Sequence, residues 1–306
     1  MTDLQRYLVE EMVEEFQAGR LSRRELLRRV ALITGSATLG ASLLAGLTPV
    51  QPATASVTAQ GTPSGTTVSP DDPDIEAGMV EYAAADGAVL IGYLARPRGD
   101  GQRPAVLQIH ENRGLTEHHQ DVSRRLAKQG YVSLAVDMLS RQGGTAHFTD
   151  SAEATGALGQ AAPEQLVSDL RAAVAYLQSL PYVRADRVGA MGFCWGGGMT
   201  WRLVTAEPAL VAAVPFYGPN PPLDAVPSIR AAILAIYAGN DDRINAGIPE
   251  LRAALDAAGK TYEIVIFPNT EHAFFNDTGP RYNAAAAAEA WTKTLEWFGR
   301  YLTASA

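Results

Sequence analysis

The chain has 306 residues, of which 47% are apolar and 19% are charged, and its formal net charge is −8. This composition is typical of a globular protein and excludes a chain that is disordered throughout, because such chains have low hydrophobicity. The acidic balance argues against a nucleic-acid partner, which would require a basic face. The only cysteine, Cys194, excludes an internal disulfide bond and a zinc site built on several cysteines.

The N-terminal segment carries the features of an export signal. Residues Asp3–Gln17 have apolar side chains at helical spacing, which predicts a short amphipathic helix or an extended cytoplasmic n-region. The sequence Ser-Arg-Arg-Glu-Leu-Leu-Arg over residues 22–28 resembles the twin-arginine motif Ser-Arg-Arg-x-Phe-Leu-Lys. The uncharged stretch Val30–Leu47 follows, and residues 53–55 (Ala-Thr-Ala) are a typical cleavage signal.

We therefore predict a twin-arginine signal peptide over residues 1–55 and a flexible linker over residues 56–74. A single domain over residues 75–306 would follow, so that the first seventy residues lie outside the fold. The expected partner is the twin-arginine export machinery, and the expected location is the periplasm, the cell surface or the extracellular space. The alternatives are an anchor formed by uncleaved residues 30–47, which would be the only contact with a membrane, and an ordinary Sec signal.

Beyond the linker, the pattern alternates between strands and helices. Eight strands are predicted: Met79–Ala84, Val89–Pro97, Pro104–His110, Tyr131–Asp137, Arg187–Phe193, Val211–Tyr217, Ala231–Tyr237 and Tyr262–Phe267. The predicted helices are Glu117–Gln129, Pro163–Ser179, Trp195–Ala206, Gly247–Ala258 and Tyr282–Tyr301. Residues 141–162 between them are predicted to be a long irregular connection.

This alternation predicts an α/β fold, with a mostly parallel eight-stranded sheet, an antiparallel hairpin first and helices on both faces. Ligands of such folds bind beyond the carboxyl ends of the strands. We therefore expect the functional side chains directly after strands.

A nucleophile elbow is the most informative motif. Residues 192–197 read Gly-Phe-Cys-Trp-Gly-Gly and stand between a predicted strand and a predicted helix, the G-x-nucleophile-x-G pattern with Cys194 as nucleophile. The helix N-terminus behind Cys194 would favour a thiolate and an oxyanion. The backbone N–H of Trp195 is the expected first oxyanion donor, and Asn112, after the third strand, is the candidate for the second.

The partners of the nucleophile follow in the order expected of α/β-hydrolases. Asp241 follows the seventh strand and His272 follows the eighth, which gives the order nucleophile, acid, base. His272 would accept the thiol proton, and Asp241 would fix its tautomer and stabilise the imidazolium. The neighbouring Asp242 remains an alternative to Asp241, since the two differ only by the register within one turn.

With these residues the chain resembles the dienelactone hydrolase (carboxymethylenebutenolidase-like) family of the α/β-hydrolase superfamily, over roughly Met79–Leu302. The Gly-x-Cys-x-Gly-Gly elbow is the specific feature, because most α/β-hydrolases have serine there. The resemblance implies hydrolysis of an enol-lactone or an activated ester through a thioester acyl-enzyme. It also implies that Glu111, at the position of the family's glutamate after the third strand, controls the thiol proton, although Glu111 could instead cap the following helix.

The chain differs from the family in the residues expected to bind the carboxylate of the substrate. Members that open dienelactone hold this group with two arginines, but this chain has no arginine from 142 to 170 and has Asn276 four residues after His272. An uncharged ester or lactone is therefore at least as well expected as dienelactone. The candidate substrate-binding residues are Arg113, Arg141, Trp195 and Tyr217.

Two other functions remain open: a general cysteine carboxylesterase or acyltransferase, and a catalytically silent binding protein with the same fold. The sequence predicts a small-molecule ester or lactone as ligand and no cofactor. It also predicts no metal, because the adjacent His118 and His119 point apart on a helix and no H-x-x-E-H pattern is present.

Overall fold

The computed structural model describes residues 1–36 and 67–303. The predicted cleavage signal at residues 53–55, most of the linker and residues 37–47 of the uncharged stretch lie outside these ranges. Nothing in the structure bears on removal of the segment, so signal-peptide processing remains a prediction.

Eight strands form one sheet, as predicted. They are β1 (Ile75–Ala83), β2 (Val89–Pro97), β3 (Arg103–Ile109), β4 (Val132–Asp137), β5 (Val183–Phe193), β6 (Ala212–Phe216), β7 (Ala232–Asn240) and β8 (Tyr262–Glu271). Their order is β1-β2-β4-β3-β5-β6-β7-β8. The β1–β2 and β2–β4 pairs are antiparallel, and the pairs from β4 through β3 to β8 are parallel. The α/β fold class is confirmed.

Helices cover both faces of the sheet and extend into the N-terminal segment. They are α1 (Asp3–Gln17), α2 (Arg23–Thr34), α3 (Glu117–Lys128), α4 (Ser151–Gln160), α5 (Pro163–Ser179), α6 (Trp195–Ala206), α7 (Asp242–Asn245), α8 (Ile248–Ala257) and α9 (Ala284–Phe298). Strands β4, β6 and most of β7 are buried along their length, as their continuous apolar runs predict. The sheet therefore forms the core and presents the carboxyl ends of β3, β5, β7 and β8 at one edge.

The predicted irregular connection over residues 141–162 contains helix α4, which the sequence analysis did not predict. Asp150 caps this helix, its side chain accepting a hydrogen bond from the backbone N–H of Ala152 at 2.8 Å. Gly156 and Gly159 of α4 lie so close to Leu32 and Ile33 of α2 that an added Cβ at either would come within 2.8 Å of those side chains. Helix α4 is thus stabilised by contacts from a distant segment that local sequence patterns do not reveal.

The N-terminal helices pack on the domain, which differs from the expectation that the first seventy residues lie outside the fold. Helix α1 has the predicted bounds and buries its apolar stripe, with Leu4, Tyr7, Leu8 and Met12 almost inaccessible. The physical reason is that the stripe has a partner surface beside the nucleophile elbow, described below.

The segment with the twin-arginine resemblance begins helix α2. Ser22 caps the helix, its hydroxyl accepting a hydrogen bond from the backbone N–H of Glu25 at 3.2 Å, while Arg23 and Arg24 are exposed. Among the helices of residues 1–36 and 67–303, none has the length and apolarity needed to cross a membrane.

Candidate active site

Cys194 stands on a strained turn between β5 and α6, as the elbow pattern predicts. Its backbone has φ 58° and ψ −121°, a conformation that residues other than glycine rarely adopt. The flanking glycines permit the turn: a Cβ at Gly192 would lie 2.3 Å from the carbonyl oxygen of Gly196, and one at Gly196 would lie 2.3 Å from that of His110. The turn places the Cys194 side chain beyond the carboxyl end of β5.

His272 and Asp241 form the predicted pair. The Nδ1 atom of His272 lies 2.6 Å from Oδ2 of Asp241, and both side chains are buried. Burial alone would lower the pKa of His272, but Asp241 and then Cys194 outweigh it and raise this pKa to about 10. Asp242 is exposed and begins helix α7, so the structure brings Asp241, and not Asp242, to the histidine.

The sulfur of Cys194 lies beside this pair but also beside helix α1. Tyr7 Oη is 3.2 Å from Sγ, and the carboxylate oxygens of Glu11 are 3.8 and 3.9 Å from it. Burial raises the pKa of the Cys194 thiol, and the Glu11 carboxylate raises it further because a second negative charge beside the sulfur is unfavourable. Burial and Glu11 therefore oppose the thiolate form of Cys194, while His272 acts in the opposite direction and lowers the pKa of the thiol.

The sequence analysis did not identify Tyr7 or Glu11 as residues of this site. The sequence pattern places Tyr7 in the apolar stripe of the first predicted helix and assigns no separate role to Glu11. A signal was present, since Tyr7 and Glu11 are four residues apart and therefore lie on one face of a helix. What that face contacts depends on tertiary packing.

Glu111 lies near the nucleophile without contacting it. Its Oε2 accepts a hydrogen bond of 2.6 Å from the side-chain amide of Asn276, and its Oε1 is buried without a partner among the described residues. Asn276, four residues after His272, thus orients Glu111. The carboxylate in direct contact with the Cys194 sulfur is that of Glu11.

Of the two predicted oxyanion residues, Trp195 directly follows Cys194 and Asn112 lines the cavity that Cys194 also lines. Trp195 follows Cys194 at the first position of α6, and its indole is buried against the ring of His110, with the ring centroids 5.9 Å apart. The side-chain amide of Asn112 donates a hydrogen bond of 2.9 Å to Glu11. The indole of Trp195 therefore belongs to the core, while Asn112 faces the cleft.

The structure places some of the other candidate substrate-binding residues near Cys194 and His272, and another away from them. Arg113 lines the cavity beside Cys194. Tyr217 packs its ring against His272, with the ring centroids 5.1 Å apart, and is fully buried. Arg141 is not brought to the cleft, because its guanidinium is held by Asp169 at 2.7 Å and by Asp86 on the exposed side of the molecule.

The remaining histidines of the cleft have structural partners. His118 Nδ1 lies 2.7 Å from a carboxylate oxygen of Asp277, and His119 Nε2 accepts a hydrogen bond from the backbone N–H of Glu111. In the described part of the chain, the ligand atoms of Glu11, Cys194 and His272 lie within 4.8 Å of one another and could together hold a metal ion. This grouping exists only because α1 brings Glu11 to the nucleophile.

A cavity of about 370 Å³ opens beside the nucleophile. Its walls include Cys194, Glu111, Asn276 and Arg281 from the domain and Glu11 from helix α1. A thiol on a strained elbow, a histidine with a carboxylate partner and an adjoining cavity are the groups that nucleophilic catalysis by a cysteine with a general base requires.

Comparisons with known proteins identify the family of the chain. Residues 90–302 match the model of the dienelactone hydrolase family. A protein of Methylorubrum extorquens named "Putative carboxymethylenebutenolidase" is 36% identical, with 77% of this chain and 85% of that protein covered. One of the same name from Escherichia coli K12 is also 36% identical, with 76% and 90% covered.

A solved structure supports the same assignment. The crystal structure titled "Putative Dienelactone Hydrolase" from Klebsiella pneumoniae superposes with a TM-score of 0.69 and 32% identity, covering 74% of this chain and 99% of that one. The chain belongs to the dienelactone hydrolase family, and it is a hydrolase with the α/β-hydrolase fold.

Proposed function

We propose that the protein hydrolyses an enol-lactone or a carboxylic ester through a thioester on Cys194. The observation that carries the proposal is the 2.6 Å contact between Asp241 and His272 beside a thiol on a strained elbow. Asp241 holds the Nδ1–H of His272, which leaves Nε2 directed toward the cleft as a base. The names of the relatives at 36% identity support the same reaction class.

The reaction proceeds in two halves. His272 accepts the proton of Cys194 as the sulfur attacks the ester carbonyl, and the C–O bond breaks as His272 returns this proton to the departing alkoxide. Water then attacks the thioester while His272 accepts a proton from it, and the C–S bond breaks as His272 returns this proton to the sulfur, which releases the acid and regenerates the thiol. The backbone N–H of Trp195 is the proposed donor to the oxyanion, with a second donor at Asn112.

The proposal predicts an acetyl group on Cys194. The full chain is mixed with p-nitrophenyl acetate, quenched in acid and analysed by peptide mass spectrometry. We expect one acetyl group on the Cys194 peptide of a chain in which helix α1 is released, and none after Cys194→Ala, because the chain has no other thiol. Since Glu14 binds Arg243 at 3.0 Å and helps to hold α1 over the sulfur, a Glu14→Arg chain is analysed in parallel.

Two results would count against the reaction. Release of nitrophenol without acetylation of Cys194, at the same rate in Cys194→Ala, would place the chemistry elsewhere. Absence of release in both the wild-type and the Glu14→Arg chains, over a panel of esters and lactones, would favour a catalytically silent binding protein. If an alcohol is added and the acyl group is transferred to it instead of to water, the acyltransferase alternative would be favoured.

Export by the twin-arginine route is a second part of the proposal. It is supported by the Ser-Arg-Arg sequence at residues 22–24 and by the exposure of Arg23 and Arg24. A reporter fused to residues 1–60 is expected to leave the cytoplasm, and replacement of Arg23 and Arg24 by lysine is expected to retain it there. The matched change of Arg28 and Arg29 to lysine is expected to have little effect, so equal retention would contradict the twin-arginine route.

A further inference from the structure

Helix α1 covers one side of the sulfur that the proposed reaction uses. Tyr7 Oη lies 3.2 Å from Cys194 Sγ, and a carbonyl carbon about to be attacked would need to lie about 3 to 3.5 Å from the same atom. The two positions compete for one space beside a sulfur that is only 2% exposed. No ester can reach attack distance on that side while Tyr7 remains.

Glu11 occupies the neighbouring part of the cleft, one helical turn after Tyr7. Its carboxylate lies within 4 Å of the sulfur and accepts a hydrogen bond of 2.9 Å from the side-chain amide of Asn112, the residue whose backbone N–H is the candidate second oxyanion donor. Its side chain is buried, although a carboxylate on a surface helix would ordinarily be solvated. Helix α1 therefore engages the nucleophile and Asn112 at once.

Two arginines of the domain bind the next acidic residues of α1. Arg243 Nε donates to Glu14 at 3.0 Å and Arg281 Nη1 donates to Glu15 at 3.1 Å. The Arg243 guanidinium also lies over the Tyr7 ring, 4.7 Å from its centroid. Its two terminal nitrogens are buried without a hydrogen-bond partner among the described residues, so α1 covers a cationic site that it only partly satisfies.

Apolar contacts add to the ion pairs between helix α1 and the domain. Leu4, Leu8 and Met12 of α1 are all buried against the rest of the protein. Helix α2 also holds the N-terminal segment on the domain, because Gly156 and Gly159 of α4 allow α2 to pack closely against α4. Such shape and charge matching is that of a bound helix in its groove.

We propose that the cleft over Cys194 is a binding site for an acidic amphipathic helix, that α1 is its ligand within the chain, and that the intact chain is held inactive by it. The binding of α1 is argued independently of the reaction, and its effect on turnover rests on the proposed function. Cleavage after residues 53–55 would remove α1 and α2 together, so the same processing that completes export would open the active site.

The test uses the full-length chain and the reactivity of its single thiol. Glu14→Arg places a cation against Arg243, and Leu8→Asp places a charge in the apolar contact, so each variant should release α1. Glu10→Arg is the control, since Glu10 is exposed on the same helix and the change in charge equals that of Glu14→Arg. We expect iodoacetamide to alkylate Cys194 at least about tenfold faster in the two releasing variants than in the wild type, with the control unchanged.

A peptide of residues 1–21 distinguishes release from loss of structure. Added to Leu8→Asp, it is expected to restore slow alkylation, and a scrambled peptide is not. Faster alkylation that the peptide fails to reverse would mean that the variant has unfolded around Cys194, and it would overturn the proposal. Alkylation as slow in both variants as in Glu10→Arg would overturn it as well, because the contacts named here would then not control access.

Ester hydrolysis measured on the same samples separates the two proposals. Faster alkylation with faster hydrolysis supports both the inhibitory helix and the hydrolase. Faster, peptide-reversible alkylation without any hydrolysis supports α1 as the resident ligand and counts against the proposed reaction. Faster hydrolysis without faster alkylation contradicts the inhibitory helix while leaving the reaction intact.

Discussion

Replacement of Cys194 by alanine is expected to lower kcat for p-nitrophenyl acetate by about 10⁴-fold or more, because no other group can form the acyl-enzyme. The substitution is sterically mild, since it removes one buried sulfur atom and does not alter the backbone that forms the turn. The measurement is made in the wild-type chain and in the Glu14→Arg chain, so that occupation of the cleft by α1 does not hide the loss.

Cys194→Ser provides the comparison. A serine keeps an atom able to attack in nearly the same place, but its hydroxyl is much less acidic than a thiol, so kcat should lie between those of the wild type and the alanine variant. Wild-type turnover by Cys194→Ala, with its circular dichroism spectrum unchanged, would show that the elbow carries no nucleophile and would end the thioester proposal.

Much of the architecture was predictable because its signals are local. The buried strands were visible as continuous apolar runs, and the elbow was visible because its glycines must be adjacent in sequence to Cys194. The order of Cys194, Asp241 and His272 along the chain also located the base and its partner, since each directly follows a strand of a parallel sheet. These features depend on neighbours in sequence or on topology that the pattern itself predicts.

The features that were not predicted depend on contacts between distant segments. Tyr7 and Glu11 reach Cys194 across more than half of the chain, and nothing in their local pattern specifies that destination. Helix α4 similarly required knowledge that α2 packs on Gly156 and Gly159. Arg141 was a reasonable substrate ligand by sequence, but Asp169 neutralises it at 2.7 Å, a partner that sequence spacing did not reveal.

The sequence favours Asp241 and leaves the adjacent Asp242 as an alternative, and the 2.6 Å contact with His272 distinguishes the two. The second large expected effect concerns this contact. Replacement of Asp241 by asparagine should lower kcat by about 10² to 10⁴-fold, because an amide cannot stabilise the imidazolium and can hold the wrong tautomer of His272. The pKa of His272 should fall as well, since Asp241 is the main group that raises it to about 10.

Asp242→Asn is the matched control, because it makes the same chemical change one residue away on an exposed side chain at the start of α7. We expect its kcat to stay within about twofold of the wild type, since surface substitutions away from such features have small effects. The pKa of His272, followed by NMR of the imidazole, should fall in Asp241→Asn and not in Asp242→Asn. Equal effects of the two substitutions on kcat and on this pKa would mean that the 2.6 Å contact does not tune the base, and the role of Asp241 in the mechanism would have to be withdrawn.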